Sequence, residues 1–240
     1  MSRGEINRSG AVTTIHDSAR YPDFDARWFD RDWWQAEGAR QHSITGRAGV
    51  LMLDRGDETW VCRHYHRGGL IAHLSYDSYV WTGVERTRPV REWRLLDALS
   101  ARSLPAPRPV AARAVCKGFS YRADILTVLL PDTVPLSSQL GEVWTDMDLW
   151  QAIGTMLAGF HAAGCDHPDL TAHNILVDSA RRPYLVDFDN ARLRSSGGTW
   201  MQAGIDRLKR SLHKVSGETG TGFSAPAWKA LLAAYLAALA

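Results

Sequence analysis

The stretch HPDLTAHNILVDSARRPYLVDFDN, residues 167–190, gathers carboxylate and amide side chains around two short apolar runs. If ILV (175–177) and YLV (184–186) are the strands of a hairpin, Asn174 stands just before the first strand and Asp187 just after the second. Because the open ends of an antiparallel hairpin meet, we expect these two side chains to converge. Oxygen ligands of this kind suit Mg²⁺, which proteins bind together with substrate phosphates.

Asp169 lies five residues before Asn174, on the loop that enters the predicted hairpin. Its carboxylate is placed to accept the proton of an incoming hydroxyl group, or to orient that group. This is the spacing of a protein-kinase-like catalytic loop, H-x-D-x-x-x-x-N followed by a D-F-G-like triplet. Here the triplet is DFD (187–189), so Asp189 is either a further metal ligand or a turn residue. We expect His167 to orient the loop. The alternative interpretation of the whole stretch is a hairpin with acidic side chains on the protein surface.

Residues that hold the nucleotide phosphates are expected upstream of this loop. The strand WVCRHY carries Arg63 where many kinases have a phosphate-binding lysine, and a guanidinium keeps that charge. Glu92, on the helix that follows, is the candidate ion-pair partner of Arg63. Gly46 and Gly49 are the candidates for a degenerate glycine-rich loop over the phosphates. Taken singly, each charge has the alternative interpretation of a surface residue, and their order before the catalytic loop favours a functional pair.

The elements that must position these residues change in character along the chain. The N-terminal part has strand-like runs at 42–45, 50–56, 58–65 and 124–130. It also has one segment with helical periodicity, at 89–103. The C-terminal part has helical periodicity beside the hairpin, at 146–164, 204–215 and 225–240.

This order predicts an α+β fold of the bilobal protein-kinase-like type. We expect a strand-rich N-lobe over residues 41–132 and a helix-rich C-lobe over residues 133–240. Residues 1–40 are predicted to be an N-terminal extension. Within it we expect residues 1–20 to be loose and residues 25–38 to hold a short helix.

Composition limits the class of protein. The 240 residues carry a formal net charge of +2, too small to indicate a nucleic-acid partner, and none is expected. Three widely spaced cysteines form no CxxC pair, so neither a disulfide framework nor a zinc site is predicted, and a reduced cytoplasmic setting follows. The polar start MSRGEINRSG has no signal-peptide pattern, and no apolar run is long enough to span a membrane.

Beyond the catalytic loop, the chain resembles the 3-deoxy-D-manno-octulosonic acid (Kdo) kinases of Gram-negative bacteria. The matching runs are WVCRHYHRGGLIAHLSYDSYVWTGVERTRPVREWRLLDAL, LPAPRPVAA, HPDLTAHNIL and RLKRSLHKV, within roughly residues 40–215. The most specific part is RHYHRGG, which ordinary protein kinases lack. No A-P-E segment follows DFD, which favours a non-protein acceptor.

The resemblance implies ATP-dependent phosphorylation of the Kdo sugar on a lipid A precursor. This would be a step in lipopolysaccharide inner-core assembly at the cytoplasmic face of the inner membrane. Carried over by motif, Asp169 is the catalytic base and Asn174 and Asp187 are the Mg²⁺ ligands. Arg63 and Glu92 form the phosphate-positioning pair.

An anionic glycolipid acceptor gives candidate roles to basic and aromatic residues. The candidates for its phosphates are His66, Arg67, Arg86 and Arg88, with Trp81 or Tyr79 at the interface. The basic run RLKRSLHK and the last helix are candidates for peripheral membrane contact, although packing on the C-lobe is favoured for the last helix. Two alternatives stay open. One is a kinase of an inner-core heptose, a small alcohol or a protein serine, and the other is a pseudokinase or lipid-binding scaffold.

Overall fold

Antiparallel pairing dominates the first half of the chain, where short apolar runs are separated by tight turns. The computed structural model describes residues 4–36, 41–43, 50–66, 77–195 and 197–240. The chain divides into two units, residues 1–98 with 107–129 and residues 99–106 with 130–240. The first unit holds most of the strands and the second holds most of the helices, as predicted.

One antiparallel sheet organises the first unit. Its strands are β1 (Gly4–Ser9), β2 (Val12–Asp17), β3 (Gln41–Ser43), β4 (Val50–Asp54), β5 (Thr59–His64), β6 (Tyr79–Val80), β7 (Pro109–Lys117) and β8 (Ser120–Val128). They run in the order β1-β2-β7-β8-β5-β4-β3, and β6 pairs with the start of β8. The series β3, β4 and β5 corresponds to the strand-like runs predicted at 42–45, 50–56 and 58–65.

The prediction of a loose segment at residues 1–20 was wrong. β1 and β2 form a hairpin, and β2 pairs with β7 from Val12 opposite Val115 to His16 opposite Ala111. β2 buries Ile15 completely but also buries Thr13. Because polar side chains occupy buried positions of this strand, its apolar pattern is too weak to indicate a strand.

A cluster of aromatic side chains packs against the sheet. The segment predicted to be helical has a 3-10 helix (Ala26–Phe29) and then α1 (Arg31–Ala36), while Gly38 lies outside the described residues. Trp28 and Trp34 are buried there, and the rings of Trp28 and Trp60 have centroids 4.9 Å apart. Core packing therefore accounts for several of the ten tryptophans of the chain.

A single long helix, α2 (Arg88–Ser100), carries the residue predicted to pair with Arg63. Its start agrees with the proline in its first turn, and Trp93, Leu96 and Leu99 are buried at helical spacing. This apolar stripe fixes which face of the helix turns inward and therefore where Glu92 points.

The second unit is built from helices around small sheets. The helices are α3 (Leu140–Val143), α4 (Met147–Ala162), α5 (Thr199–Thr219) and α6 (Ala225–Leu239). The strands are β9 (Val134–Pro135), β10 (Cys165–Asp166), β11 (Ile175–Val177), β12 (Pro183–Leu185) and β13 (Arg192–Leu193). β11 pairs with β12 and β9, and β10 pairs with β13.

The helix α4 begins and ends where its sequence predicts. The Asp146 side chain accepts a hydrogen bond from the Leu149 N–H at its start, and Gly164 has φ +77° just after its end. Gly154 lets α6 come close, since a Cβ there would lie 2.2 Å from the Leu231 carbonyl oxygen. The last helix thus packs on the second unit, as favoured from the sequence. No helix in the described part of the chain is long and apolar enough to cross a membrane.

Candidate active site

The predicted hairpin is present and brings its two open ends together. Ile175 lies opposite Leu185 in the β11–β12 ladder, and the Val186 N–H donates to the Asn174 carbonyl oxygen at 2.9 Å. Asn174 and the residue before Asp187 are therefore hydrogen-bonded neighbours. The register brings the backbones of the two segments together, and the convergence of the Asn174 and Asp187 side chains on one metal ion stays a prediction.

Asn174 is tied to Asp169 by its side chain. The Asn174 Nδ2 donates to the Asp169 carbonyl oxygen at 2.9 Å and to its carboxylate at 3.1 Å. Asn174 is buried, whereas Asp169 is exposed. These bonds commit the amide nitrogen to the loop and leave Oδ1 as the only atom of the amide that can ligate a cation.

His167 joins the catalytic loop to the segment after β12. Its Nε2 lies 3.0 Å from the Val186 carbonyl oxygen, and its ring meets the edge of Phe188 at 5.1 Å between centroids. Burial lowers the pKa of His167, so the imidazole is neutral near pH 7 and Nε2 donates to the carbonyl. Phe188 in turn packs on Phe160 of α4. This is the orienting contact that the sequence predicted for His167.

The oxygen atoms at this end of the hairpin fit a magnesium ion. Asp187 is exposed and follows β12 with φ +68°, a left-handed conformation that Asp tolerates better than most residues. Its carboxylate and the Asn174 amide oxygen are hard ligands. Among the described residues, no group of three or more His, Cys, Asp or Glu side chains could hold a metal ion. A magnesium ion here would therefore need phosphate or water oxygens as well.

Arg63 and Glu92 form the ion pair that the sequence predicted. The Arg63 Nη2 lies 2.6 and 2.7 Å from the two carboxylate oxygens of Glu92. The Tyr65 hydroxyl also donates to this carboxylate, at 2.5 Å, and the Arg63 guanidinium stacks over the Tyr65 ring. Glu92 is buried and Arg63 is partly exposed. The carboxylate therefore holds the guanidinium in one place on β5.

Some sequence candidates lie outside the described residues or in the core. Gly46, Gly49 and Arg67 fall outside the ranges that the structure describes. Tyr79 is buried, so of the two aromatic candidates for an interface only Trp81 is partly exposed. Of the described cations, Arg86 ends a short 3-10 helix before α2 and Arg88 is the first residue of α2.

Two contacts around the catalytic loop were missed from the sequence. The Ala172 N–H donates to the Ser211 hydroxyl of α5 at 3.1 Å, so the basic helix also supports the loop. Asp166 of β10 receives two arginines, Arg192 and Arg194, from the segment after DFD. The alternation R-L-R was the available signal, because residues two apart on a strand share a face.

Comparison with known proteins gives a consistent set of matches. A family model described as "Lipopolysaccharide kinase (Kdo/WaaP) family" matches residues 31–235. A 3-deoxy-D-manno-octulosonic acid kinase of Xylella fastidiosa (strain M23) is 39% identical over 216 residues, covering 89% of this chain and 84% of the relative. One of Xanthomonas oryzae pv. oryzae (strain PXO99A) is 39% identical over 208 residues, covering 87% and 82%.

A solved structure supports the fold. The chain matches "WaaP in complex with acyl carrier protein" with a TM-score of 0.55 and 18% identity, covering 88% of this chain and 85% of that one. At this identity the likeness concerns the fold alone. It agrees with the predicted α+β fold class.

Proposed function

The chain belongs to the lipopolysaccharide kinase (Kdo/WaaP) family, and from this premise we propose that it phosphorylates the Kdo residue of a Kdo-lipid A precursor. It is an ATP-dependent phosphotransferase with a sugar hydroxyl as acceptor. The observation that carries the assignment is the hydrogen-bonded pair of Asp169 and Asn174 at the open end of a hairpin that Asp187 follows.

Asp169 acts as the base in the proposed reaction. Its exposed carboxylate accepts the proton of the acceptor hydroxyl while the hydroxyl oxygen forms a bond to the γ-phosphorus of ATP. The bond between that phosphorus and the β,γ-bridging oxygen breaks, and ADP leaves with the bridging oxygen. The Asn174 amide holds the carboxylate in place for this proton transfer.

Asn174 Oδ1 and the Asp187 carboxylate are the atoms that would hold Mg²⁺. When bound with ATP, the ion neutralises phosphate charge. The Arg63 guanidinium, fixed by Glu92, binds phosphate oxygens from β5. The glycine-rich loop at Gly46 and Gly49 stays a prediction. In all of this the chain contributes positioning and charge.

We place the enzyme at the cytoplasmic face of the inner membrane as a peripheral protein. The support is the turn between β7 and β8, where Phe119 is 94% exposed, next to Val80 of β6, which is 68% exposed. The Trp81 N–H donates to the Phe119 carbonyl oxygen, which keeps the two segments together. Lys117 is exposed at the same turn. Exposed apolar side chains beside a cation suit the boundary between lipid headgroups and acyl chains.

Mass spectrometry of Kdo-lipid A after incubation with the protein, ATP and Mg²⁺ tests the proposed function. We expect one phosphoryl group to be added to the Kdo residue. The Asp169→Asn variant should lower the rate by about 10²- to 10⁴-fold, the usual contribution of a general base, while ATP still binds. Asp206→Asn, on the exposed face of α5, is the matched control and should keep full activity.

Other outcomes would assign a different role. Phosphorylation of a heptose, a small alcohol or a protein serine, with none on Kdo, would identify a kinase of another acceptor. ATP that is not consumed in the presence of any of these acceptors would identify a pseudokinase or a lipid-binding scaffold. Full turnover by Asp169→Asn would remove Asp169 from the mechanism.

A further inference from the structure

Two arginines of β13 and its extension share one carboxylate of β10. The Nε of Arg192 lies 3.2 Å and the Nε of Arg194 2.5 Å from Oδ2 of Asp166. The Asp166 side chain is nearly buried, at 12% exposure, whereas the arginine side chains are 55% and 39% exposed. One guanidinium is enough to balance the carboxylate, so the three residues together carry one surplus positive charge.

Both arginines bind Asp166 through Nε, which leaves their terminal amino groups for another partner. In the part of the chain that the structure describes, neither guanidinium has a second carboxylate within ion-pair distance. Each guanidinium has five N–H donors, and the two terminal nitrogens form the planar edge that matches a carboxylate or a phosphate. Each arginine therefore has terminal N–H donors available for an anion, while its Nε is held by Asp166.

The backbone around the two arginines leaves little freedom to reposition them. The Arg194 N–H donates to the Gly164 carbonyl oxygen at 2.8 Å. Gly164 has φ +77°, and a Cβ at that position would lie 2.2 Å from the Arg194 carbonyl oxygen. Glycine is thus required for this close approach. Arg192 lies opposite Asp166 in the β10–β13 ladder, so both side chains point to the same face.

This pair adjoins the residues of the proposed chemistry along the chain. Asp166 is three residues before Asp169, and Arg192 is five residues after Asp187. The acceptor of the proposed function is an acid and carries a carboxylate at neutral pH, and its lipid A part carries phosphates. A pair of oriented guanidiniums is the recognition group that such an acceptor requires.

We propose that Arg192 and Arg194, held by Asp166, bind an anionic oxygen group of the acceptor. The inference rests on the proposed function and deepens it, because it names the residues that select an acidic sugar substrate. The chemistry that the pair recognises is a carboxylate or a phosphate. A pair that served only to join β10 to β13 would affect stability and not the choice of acceptor.

Steady-state kinetics with Arg192→Gln tests the inference. This variant removes the more exposed guanidinium and keeps the shorter Arg194–Asp166 contact. We expect KM for Kdo-lipid A to rise about tenfold or more, as for a lost charge-assisted contact, with kcat and KM for ATP within about threefold of the wild type. Arg181→Gln is the matched control, since Arg181 is a similarly exposed arginine of the same unit with a long 3.5 Å ion pair. It should leave all three parameters unchanged.

Two modified acceptors distinguish the sources of the anion. If the pair binds the Kdo carboxylate, the wild type discriminates against the methyl ester of that carboxylate and Arg192→Gln does not. If it binds a phosphate, the same loss of discrimination appears with a dephosphorylated lipid A part. An Arg192→Gln variant with unchanged KM for the acceptor and a lower melting temperature would overturn the proposal.

Arg194→Lys is a variant that should still fold, because it keeps a positive charge beside Asp166. It should give an intermediate KM for the acceptor at an unchanged melting temperature. Binding of Kdo-lipid A in the absence of ATP separates this inference from the proposed function. A wild type that does not bind any Kdo acceptor contradicts the function, whereas equal binding by the wild type and Arg192→Gln contradicts only the role of the arginines.

Discussion

Glu92 is a buried carboxylate whose charge is balanced by its surroundings. Its side chain is only 4% exposed, and its oxygens receive the Arg63 guanidinium and the Tyr65 hydroxyl. A buried charge is tolerated when it is paired and hydrogen-bonded in this way. The consequence falls on Arg63, because the ion pair with Glu92 holds its long side chain in a single orientation.

Glu92→Gln is expected to weaken ATP binding. The amide keeps the shape of the side chain but loses the charge that orients Arg63, so the dissociation constant for ATP with Mg²⁺ should rise roughly tenfold, equivalent to a lost charge-assisted hydrogen bond. Calorimetric titration measures it. Glu85→Gln, at an exposed glutamate paired with Arg94, is the control and should bind ATP as the wild type does. Equal ATP affinity for Glu92→Gln and the wild type would leave the pair with a purely structural role.

Contacts within the candidate site could be predicted from the sequence where the spacing of the residues determines which of them meet. Asp169 and Asn174 lie on one loop, and Arg63 and Glu92 follow the order of strand and helix in kinases. Tyr65 was missed because its contact with Glu92, 27 residues away, depends on how the end of β5 packs on α2, which no local pattern reveals. The same holds for Ser211, whose partner Ala172 is 39 residues away.

At the scale of elements, α5 is a support for the catalytic loop as well as a basic surface helix. The Ala172 residue whose N–H donates to Ser211 is fully buried, so this N–H has no access to water. An unpaired buried N–H is unfavourable, and the hydroxyl therefore fixes the loop against the helix. The loop that this bond holds contains both Asp169 and Asn174.

Ser211→Ala should lower kcat severalfold with little change in KM for ATP. The variant leaves the Ala172 N–H unpaired, which costs about 1–3 kcal/mol and loosens the loop that holds the proposed base, Asp169. Ser211→Thr keeps the hydroxyl and should retain the wild-type kcat. Rate measurements at saturating substrate decide between these results, and equal rates for Ser211→Ala and Ser211→Thr would contradict the supporting role.

The helices α4 and α6 are joined by a buried imidazole, which makes the second unit sensitive to acid. The His161 Nδ1 lies 2.7 Å from the Tyr235 hydroxyl, and burial lowers the pKa of His161 to about 4. The pKa of an unfolded histidine is about 6.5. Between these values the unfolded chain binds more protons, so the free energy of unfolding falls as the pH is lowered.

We expect this loss of stability to begin near pH 6.5 and to level off near pH 4. His161 alone would account for roughly 3 kcal/mol over that range. Urea unfolding at pH 7.5, 6 and 5 measures the slope. His161→Gln should reduce the slope without removing it, because burial also lowers the pKa of His167. An unchanged slope in His161→Gln would show that His161 does not carry the effect.

An element could be predicted from the sequence when its apolar residues lie on one face and its polar residues on the other. The helix α4 buries Ile153, Leu157 and Phe160 on one face, and its periodicity predicted it. The strand β2 buries Thr13 and His16 beside Ile15, so hydropathy alone does not distinguish it from a polar tail. Its place in the sheet results from pairing with β7, which is a tertiary constraint.

At the scale of the whole molecule, the exposed large apolar side chains of the described residues are Val80, Phe119, Val134, Leu193 and Leu236. The two most exposed, Phe119 and Val80, belong to one place on the first unit, since Val80 lies opposite Ser120 in the β6–β8 ladder, and Leu236 is exposed on α6. The first of these places has an exposed lysine, Lys117, beside it. Apolar side chains next to cations favour an anionic bilayer surface over a neutral one.

Sedimentation with phospholipid vesicles tests this contact without ATP or acceptor. We expect the wild type to bind vesicles that contain phosphatidylglycerol and to bind pure phosphatidylcholine vesicles less. Phe119→Asp should lose most of this binding, whereas Phe119→Trp should keep it. Leu236→Asp, at another exposed apolar residue, is the control and should bind as the wild type does. Loss of binding in Leu236→Asp and not in Phe119→Asp would move the contact to α6.

The left-handed backbone at Asp187 sets the proposed role of its carboxylate against the thermal stability of the fold. A non-glycine residue with φ +68° is less favourable than the same residue in an ordinary conformation, and glycine would adopt this backbone without strain. Glycine has no carboxylate, however, so it would relieve the strain and remove the proposed magnesium ligand together. On the proposed role of Asp187, an evolution experiment that selects only for thermal tolerance would therefore favour inactive proteins at this position.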